Sequence, residues 1–266
     1  MKFGCQTYTW QMSAERYAGR IDHILSVVAA AGMRGIEAEI CMMGGFYDDP
    51  DRMHRELERT GLKLGALCLV LDWRNEDETE DERREADKAF AYLRHFPGTL
   101  LALGQMAGAD RTDLRRRQAN AISCFNAVGR RAVDRGIVCA FHPNSPAGSV
   151  FRTREDYAVL LDGLDSDAVG LAPDAGHIAK GGMEAVEMFQ SFAPLVRHVH
   201  FKDTAADGGW TEMGCGTIDF PAIVAVLREA DYDGWIMIED ESPRAEADPD
   251  AVTLANGRYV HERLIS

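Results

Sequence analysis

Short apolar runs and longer amphipathic segments alternate along the whole chain. A short apolar or β-branched run bounded by turn residues is typical of a buried strand, whereas apolar residues three or four positions apart are typical of a helix. We therefore predict strands at residues 2–9, 35–40, 62–71, 99–104, 137–142, 168–173, 196–201 and 234–240.

A helix is predicted after each strand. In the first of these helices Ile21, Ile24 and Val28 share one face, and Gly32 ends the pattern. Asp219 followed by Pro221 is the signature of a capped helix start. The predicted helices span residues 17–32, 50–60, 82–95, 112–135, 153–162, 183–192, 219–230 and 249–264.

Strands that alternate with helices of this length indicate a parallel sheet. Eight such units in about 250 residues match the size of a closed barrel. We therefore predict an α/β fold, a single (β/α)8 TIM-barrel domain over residues 1–266. A doubly wound open sheet is the alternative, but it usually has a Gly-rich phosphate turn after its first strand. The segment CQTYTWQ contains no such turn.

Composition excludes several classes of partner. The chain has 266 residues, 46% of them hydrophobic, and a formal net charge of -14. An acidic protein is a poor partner for nucleic acid or an anionic membrane, because phosphate contacts need clustered Lys and Arg. The amino terminus lacks the apolar stretch of a signal peptide. No segment approaches the ~18 apolar residues of a membrane span. The six cysteines form no CxxC pair. We expect a soluble cytoplasmic protein with reduced thiols.

Polar residues collect at the carboxyl ends of the predicted strands, which is where TIM barrels carry their active sites. The strand ends from the fifth to the eighth all carry imidazole or carboxylate groups. Such groups on adjacent strand ends are typical of a divalent-metal site. The candidates along all strands are Gln6, Trp10, Glu37, Glu39, Gln105, His142, Asn144, Asp174, His177, His200, Lys202, Glu239 and Glu241.

The motifs PDAGH and HVHFKD, followed by GCGTIDFP and GWIMIED, resemble those of the xylose-isomerase-like barrels. This superfamily of sugar phosphate isomerases and epimerases includes inosose dehydratases and ketose 3-epimerases. The resemblance covers essentially the whole chain and is not specific to one substrate. It implies a bound divalent metal ion, with Mn²⁺ as the first candidate and Co²⁺, Mg²⁺ and Zn²⁺ as alternatives.

The resemblance also implies which residues hold the metal. Asp174, His200 and Glu239 match three of the four strand-end ligands of the superfamily. Epimerases carry a glutamate on the fifth strand, but this chain has His142 followed by Pro143, as the dehydratase-like branch does. His142 is therefore the expected fourth ligand, and the two-glutamate proton transfer of the epimerases is in doubt.

Several of the candidate residues could have either a functional or a purely structural role. We expect catalytic roles for Glu239, His142 and Lys202, and substrate contacts from His177, Glu37, Trp10 and Asn144. Asp174 could instead cap a turn, and Lys202 could pair with Asp203 or Glu241. Glu37 could orient a metal-bound histidine or pair with Arg34. His198, deeper in the seventh strand, is expected to be a core histidine bonded to a neighbour.

These residues suit chemistry through an enediolate. A divalent cation that chelates two sugar oxygens stabilises the enediolate, and a carboxylate can remove the proton beside the carbonyl. The leading hypothesis is therefore a metal-dependent isomerase or epimerase acting on a keto-sugar or related small carbohydrate. The alternative is an inosose or keto-polyol dehydratase with the same metal site, which the missing fifth-strand glutamate favours.

Two remote alternatives remain. An apurinic-site endonuclease shares the barrel, but it needs extra histidines on the early strands, and the first four strand ends carry none. A non-catalytic sugar-binding barrel is disfavoured by the intact ligand set.

Strands seven and eight show no helix-start glycine cluster with Lys or Arg, which favours a non-phosphorylated substrate. Superfamily members are often dimers or tetramers, so a homo-oligomer is expected, without a sequence feature that fixes its contact surface.

Overall fold

The computed structural model of the protein describes residues 1–265. The strands of this part are β1 (Lys2–Gln6), β2 (Gly35–Glu39), β3 (Lys63–Leu71), β4 (Leu100–Gln105), β5 (Cys139–His142), β6 (Val169–Leu171), β7 (Val199–Phe201), β8 (Asp203–Thr204), β9 (Trp210–Thr211) and β10 (Trp235–Ile238).

The helices of the same part surround the strands. They are α1 (Tyr8–Gln11), α2 (Ala14–Tyr17), α3 (Ile21–Ala30), α4 (Ile40–Met43), α5 (Pro50–Thr60), α6 (Glu80–Leu93), α7 (Leu114–Val133), α8 (Arg154–Gly163), α9 (Ala175–Lys180), α10 (Ala185–Phe192), α11 (Phe220–Glu229), α12 (Pro243–Ala247) and α13 (Pro249–Arg263). Short 3₁₀ helices lie at Gly44–Phe46 and Ala193–Leu195. None of the helices described is both long and apolar enough to cross a membrane.

Eight of the strands form one parallel sheet in the order β6-β5-β4-β3-β2-β1-β10-β7 over the described residues. Parallel bridges between Leu171 and Val196, and between Asp174 and His200, connect its two edges. The sheet is therefore closed, and the predicted TIM barrel is confirmed. The remaining strands, β8 and β9, form an antiparallel hairpin directly after β7.

The helices attach to the barrel through the apolar faces that the sequence predicts. In α3 the buried residues are Ile21, Ile24, Leu25 and Val28. Helix α11 begins as expected, because the Asp219 side chain accepts a hydrogen bond from the Ala222 backbone N–H at 3.0 Å and Pro221 occupies the first turn. The strands themselves pair in parallel, so their carboxyl ends meet at one rim.

Near the carboxyl rim the structure differs from the prediction in one strand boundary and in two elements that were not predicted. Strand β1 ends at Gln6 rather than Thr9, because the chain turns into α1 at Tyr8. Helix α9 begins immediately after Asp174, whose side chain caps it by accepting a hydrogen bond from the His177 backbone N–H at 2.7 Å. The β8–β9 hairpin was not predicted. Each of these elements has six residues or fewer, too few to show a periodic pattern.

Candidate active site

Four side chains from different strand ends converge at the carboxyl rim. His142 ends β5, Asp174 follows β6, His200 lies in β7 and Glu239 follows β10. One ligand atom from each of these residues lies within 4.8 Å of the others. The closure of the barrel produces this arrangement, since the bridge between Asp174 and His200 brings β6 against β7. We refer to these four residues as the ligand cluster.

The ligand cluster fits a divalent cation. Two of its buried atoms, His142 Nε2 and Asp174 Oδ2, have no hydrogen-bond partner within residues 1–265, and they lie 3.8 Å apart. A buried polar atom without a partner is costly, so two that face each other indicate a missing group between them. Two imidazoles and two carboxylates are suitable donors for Zn²⁺, Mn²⁺ or a similar ion.

The fully buried carboxylate of Glu37 contacts His200, the histidine of β7. Glu37 Oε2 lies 2.5 Å from His198 Nε2 and 2.9 Å from His200 Nε2. His200 Nδ1 is thereby left facing Glu239 Oε2 at 3.2 Å. Burial alone would raise the pKa of Glu37, but the charges and hydrogen bonds of the two histidines outweigh it and lower that pKa. Glu37 therefore orients His200 and forms no ion pair with Arg34 in the described part of the chain.

Lys202 connects two acidic strand-end residues. Its Nζ donates to Glu239 Oε1 at 2.6 Å and to Glu241 Oε1, and it lies 3.3 Å from His177 Nε2. Burial works against the charged ammonium, yet the two glutamates raise the pKa of Lys202. Burial likewise opposes the charge of Glu239, but Lys202 and His200 lower its pKa to about 2. Lys202 therefore stays protonated and keeps Glu239 ionised, and its partner is Glu241 rather than Asp203.

His177 is a neutral side chain of the same site. Burial and the adjacent Lys202 charge lower the pKa of His177 well below its ordinary value. Its Nδ1 lies 2.8 Å from Ser145 Oγ, and its ring contacts the Trp210 ring at a centroid distance of 5.3 Å. The imidazole is therefore held in one orientation, with its Nε2 on the side of Lys202.

A cavity of about 580 Å³ opens over the ligand cluster. Asp174 and Lys202 lie below its surface and are almost fully buried. The side of the cavity nearest the cluster is lined by His142, Asn144, Ser145, His177, His200, Glu239 and Glu241. The part lined by the first three strands and the segments that follow them carries Gln6, Tyr8, Gln11, Glu39, Cys41, Cys68 and Val70.

The predicted substrate contacts are only partly at the cavity. His177 and Asn144 line it, although Asn144 Nδ2 already donates to the Gln105 carbonyl at 2.8 Å and its Oδ1 accepts from Ser149. Trp10 and Glu37 do not line it. Because β1 ends before Trp10, the indole is buried among helices and donates to Asp250 Oδ1 at 2.7 Å.

Sequence reasoning missed the aromatic residues of the cavity. Tyr8 occupies the place expected for Trp10, and Trp210 lies on the β8–β9 hairpin with Lys180 Nζ 4.0 Å from its ring centroid. The GCGTIDFP motif marks the base of this hairpin.

The base of the hairpin is fixed by Asp203, whose Oδ2 accepts from the N–H groups of Gly214 and Gly216 at 2.9 and 3.0 Å. A Cβ at Gly216 would lie 2.2 Å from Asp203 Oδ1, so this position requires glycine. The motif could therefore have indicated an ordered hairpin, but not which aromatic residue it carries.

The closed parallel barrel and the ligand cluster at its carboxyl rim together define an enzyme of the TIM-barrel class with a candidate metal centre. A family model described as the xylose isomerase-like TIM barrel matches residues 25–258. The chain belongs to this family. The predicted resemblance is thereby confirmed.

Curated relatives carry a dehydratase name. An inosose dehydratase of Halalkalibacterium halodurans is 24% identical, over 92% of this chain and 88% of the relative. An inosose dehydratase of Geobacillus kaustophilus is 27% identical, over 92% of this chain and 87% of the relative. Both alignments cover most of the barrel.

Solved structures share the fold. A probable 3-DHS dehydratase, AsbF of Bacillus anthracis, superposes with a TM-score of 0.80 at 17% identity, covering 99% of this chain and all of the other. The IolI protein with a bound zinc atom gives a TM-score of 0.79 at 16% identity over the whole of both chains. The 3-keto-D-glucoside 4-epimerase YcjR of E. coli gives 0.74 at 18%, covering 97% of this chain and 99% of the other.

Proposed function

We propose that the protein is a divalent-metal-dependent dehydratase that removes water from a cyclic keto-polyol of the inosose class. The observation that carries the proposal is the ligand cluster with an imidazole, His142, at the β5 position. Epimerisation needs a base on each face of the substrate, and with His142 in place of the β5 glutamate of the epimerases the second carboxylate base is missing. The inosose dehydratase names of the relatives support this choice over the isomerase or epimerase that the sequence favoured.

The metal ion would be held by His142, Asp174, His200 and Glu239. When bound, it supplies Lewis-acid polarisation of the substrate keto oxygen and an adjacent hydroxyl. Mn²⁺ is our first candidate, and the zinc atom of the IolI structure makes Zn²⁺ the second.

The chain's own residues supply the proton chemistry. Glu239 is ionised at neutral pH and lines the cavity, so it is the proposed acceptor of the proton on the carbon beside the keto group. Lys202 keeps that carboxylate charged and in place through its 2.6 Å hydrogen bond. His177 and Asn144 face the cavity and are the proposed contacts to substrate hydroxyls, and Trp210 provides an aromatic wall beside them.

Incubation of the Mn²⁺-loaded protein with inosose in D₂O tests the proposal. We expect a growing enone absorbance and loss of water, with no such change after chelation. In Asp174→Asn both activity and metal content should fall, whereas Asp167→Asn, at an exposed position, should match the wild type. Deuterium incorporation without dehydration, or turnover of common ketoses instead, would show an epimerase and reject the dehydratase.

A further inference from the structure

Glu39 is a buried carboxyl group on the cavity wall formed by the first strands of the barrel. It ends β2, and in the closed order of the barrel strands β2 lies opposite β6, the strand that Asp174 follows. Its side chain lines the cavity, although only 7% of the residue is exposed. Glu39 Oε1 accepts from Gln11 Nε2 at 3.1 Å and lies 3.5 Å from Cys41 Sγ. These contacts fix the carboxyl group at the cavity surface.

No positively charged group of the described part of the chain lies close to Glu39. Within residues 1–265 no Lys, Arg or His nitrogen lies within 4.0 Å of it, whereas Glu239 and Glu241 both pair with Lys202. The titratable groups that face Glu39 are neutral or acidic, and they are Cys41, Cys68, Tyr8 and Glu239. Burial raises the pKa of Glu39, and the charge of Glu239 adds to this effect against the hydrogen bond from Gln11.

Glu39 and Glu239 therefore have different surroundings in one cavity, since Glu239 pairs with Lys202 and Glu39 has no cationic partner within residues 1–265. Paired carboxyl groups whose environments separate their pKa values are typical of acid and base partners. Only β1 lies between β2 and β10, so the two residues stand on strands about 10 Å apart. A substrate held between them would have one group on each side.

We propose that Glu39 is the proton donor to the leaving hydroxyl of the substrate; this inference rests on the proposed dehydratase function. Glu239 takes the proton from the carbon beside the keto group, and the electron pair of that C–H bond becomes the new C=C bond. The C–O bond at the next carbon breaks, its electron pair stays on oxygen, and that oxygen takes the Glu39 proton and departs as water. Glu39 is left as a carboxylate and regains a proton from solvent.

The test compares two leaving groups in the Mn²⁺-loaded protein. A hydroxyl must be protonated to leave, but fluoride leaves without a proton. In Glu39→Gln we expect dehydration of inosose to fall by about 10²–10⁴-fold. Release of fluoride from an inosose analogue with fluorine at the leaving position should stay within a few-fold of the wild-type rate. Metal content and Tm should be unchanged, and Glu15→Gln, at an exposed position, is the matched control.

The outcomes separate this inference from the proposed function. Equal loss of water release and fluoride release in Glu39→Gln would show a structural role and overturn the inference. Full dehydration activity in Glu39→Gln would overturn it as well, while leaving the dehydratase assignment intact. A wild-type protein that neither dehydrates inosose nor releases fluoride from the analogue would overturn the proposed function, and the role of Glu39 with it.

Discussion

Two buried side chains, Glu37 and Lys202, make hydrogen bonds to residues of the ligand cluster and to their neighbours. Glu37 connects His198 to His200, and Lys202 connects Glu239 to Glu241. Each of these two residues faces two partners, so its loss would remove one hydrogen bond from each partner. The positions of His200 and Glu239 thus depend on residues that need not touch a metal ion.

Replacing Glu37 by glutamine should weaken metal binding. Two imidazole nitrogens face one Glu37 oxygen, and the uncharged amide stabilises the His200 orientation less well. Loss of such a supporting carboxylate typically lowers metal affinity by about 10–100-fold. Competition with a chromogenic chelator measures the change, with the exposed Glu262→Gln as control. An unaltered affinity in Glu37→Gln would show that Glu37 does not position His200.

The residue-level contacts were only partly predictable. Asp174, His200 and Glu239 come from strand ends with recognisable motifs, so sequence alone could propose them as ligands. The two partners of Glu37 could not be chosen in this way, because they lie 161 and 163 positions away and meet it only across the closed barrel. The same reason explains why Arg34, close in sequence, was an equally reasonable partner.

At the scale of secondary-structure elements, helix α9 and the β8–β9 hairpin pack tightly on the end of β7. Gly176 lies at their contact, where an added Cβ would come 2.6 Å from the Lys202 backbone oxygen and 2.7 Å from the Trp210 ring. The first of these neighbours is backbone and cannot rotate away. A side chain at this position must therefore displace α9 or the hairpin.

Gly176→Ala should accordingly destabilise the protein by about 1–3 kcal/mol, the usual cost of overpacking. Urea denaturation measures the free energy of unfolding. Gly45→Ala is the matched control, since a Cβ there would have its nearest neighbour, an arginine side-chain atom, at 3.9 Å. If the two variants have equal stability, the contact at Gly176 is looser than the structure indicates.

Strands were easier to predict than the short elements of the rim. Buried parallel strands appear as apolar runs, and every strand of the barrel overlaps a predicted one within the described residues. Helix α1 and the β8–β9 hairpin have four and two residues per element, so neither produces a hydrophobic period. Because α1 was not predicted, Trp10 was expected at the cavity wall, whereas it lies in the helical layer. Tyr8, which does line the cavity, was not predicted.

At the scale of the whole molecule, barrel closure creates the cavity and distributes charge within it. The ligand cluster draws on β5, on the segments that follow β6 and β10, and on β7, whereas Glu39 ends β2. One cavity therefore contains both the ligand cluster and Glu39, a carboxyl group without a cationic partner among the described residues. The sequence could predict the barrel and its active end, but the distance between Glu39 and Glu239 depends on the order of the strands in the closed sheet.

The metal centre is tested most directly by an anomalous-difference map from a crystal of the full-length protein soaked with Mn²⁺. We predict a single strong peak at the carboxyl rim, with ligand atoms of His142, Asp174, His200 and Glu239 about 2.0–2.3 Å away. A map without a peak at this cluster would contradict the metal centre. So would a peak at the neighbouring group of Glu37, His198 and His200 instead.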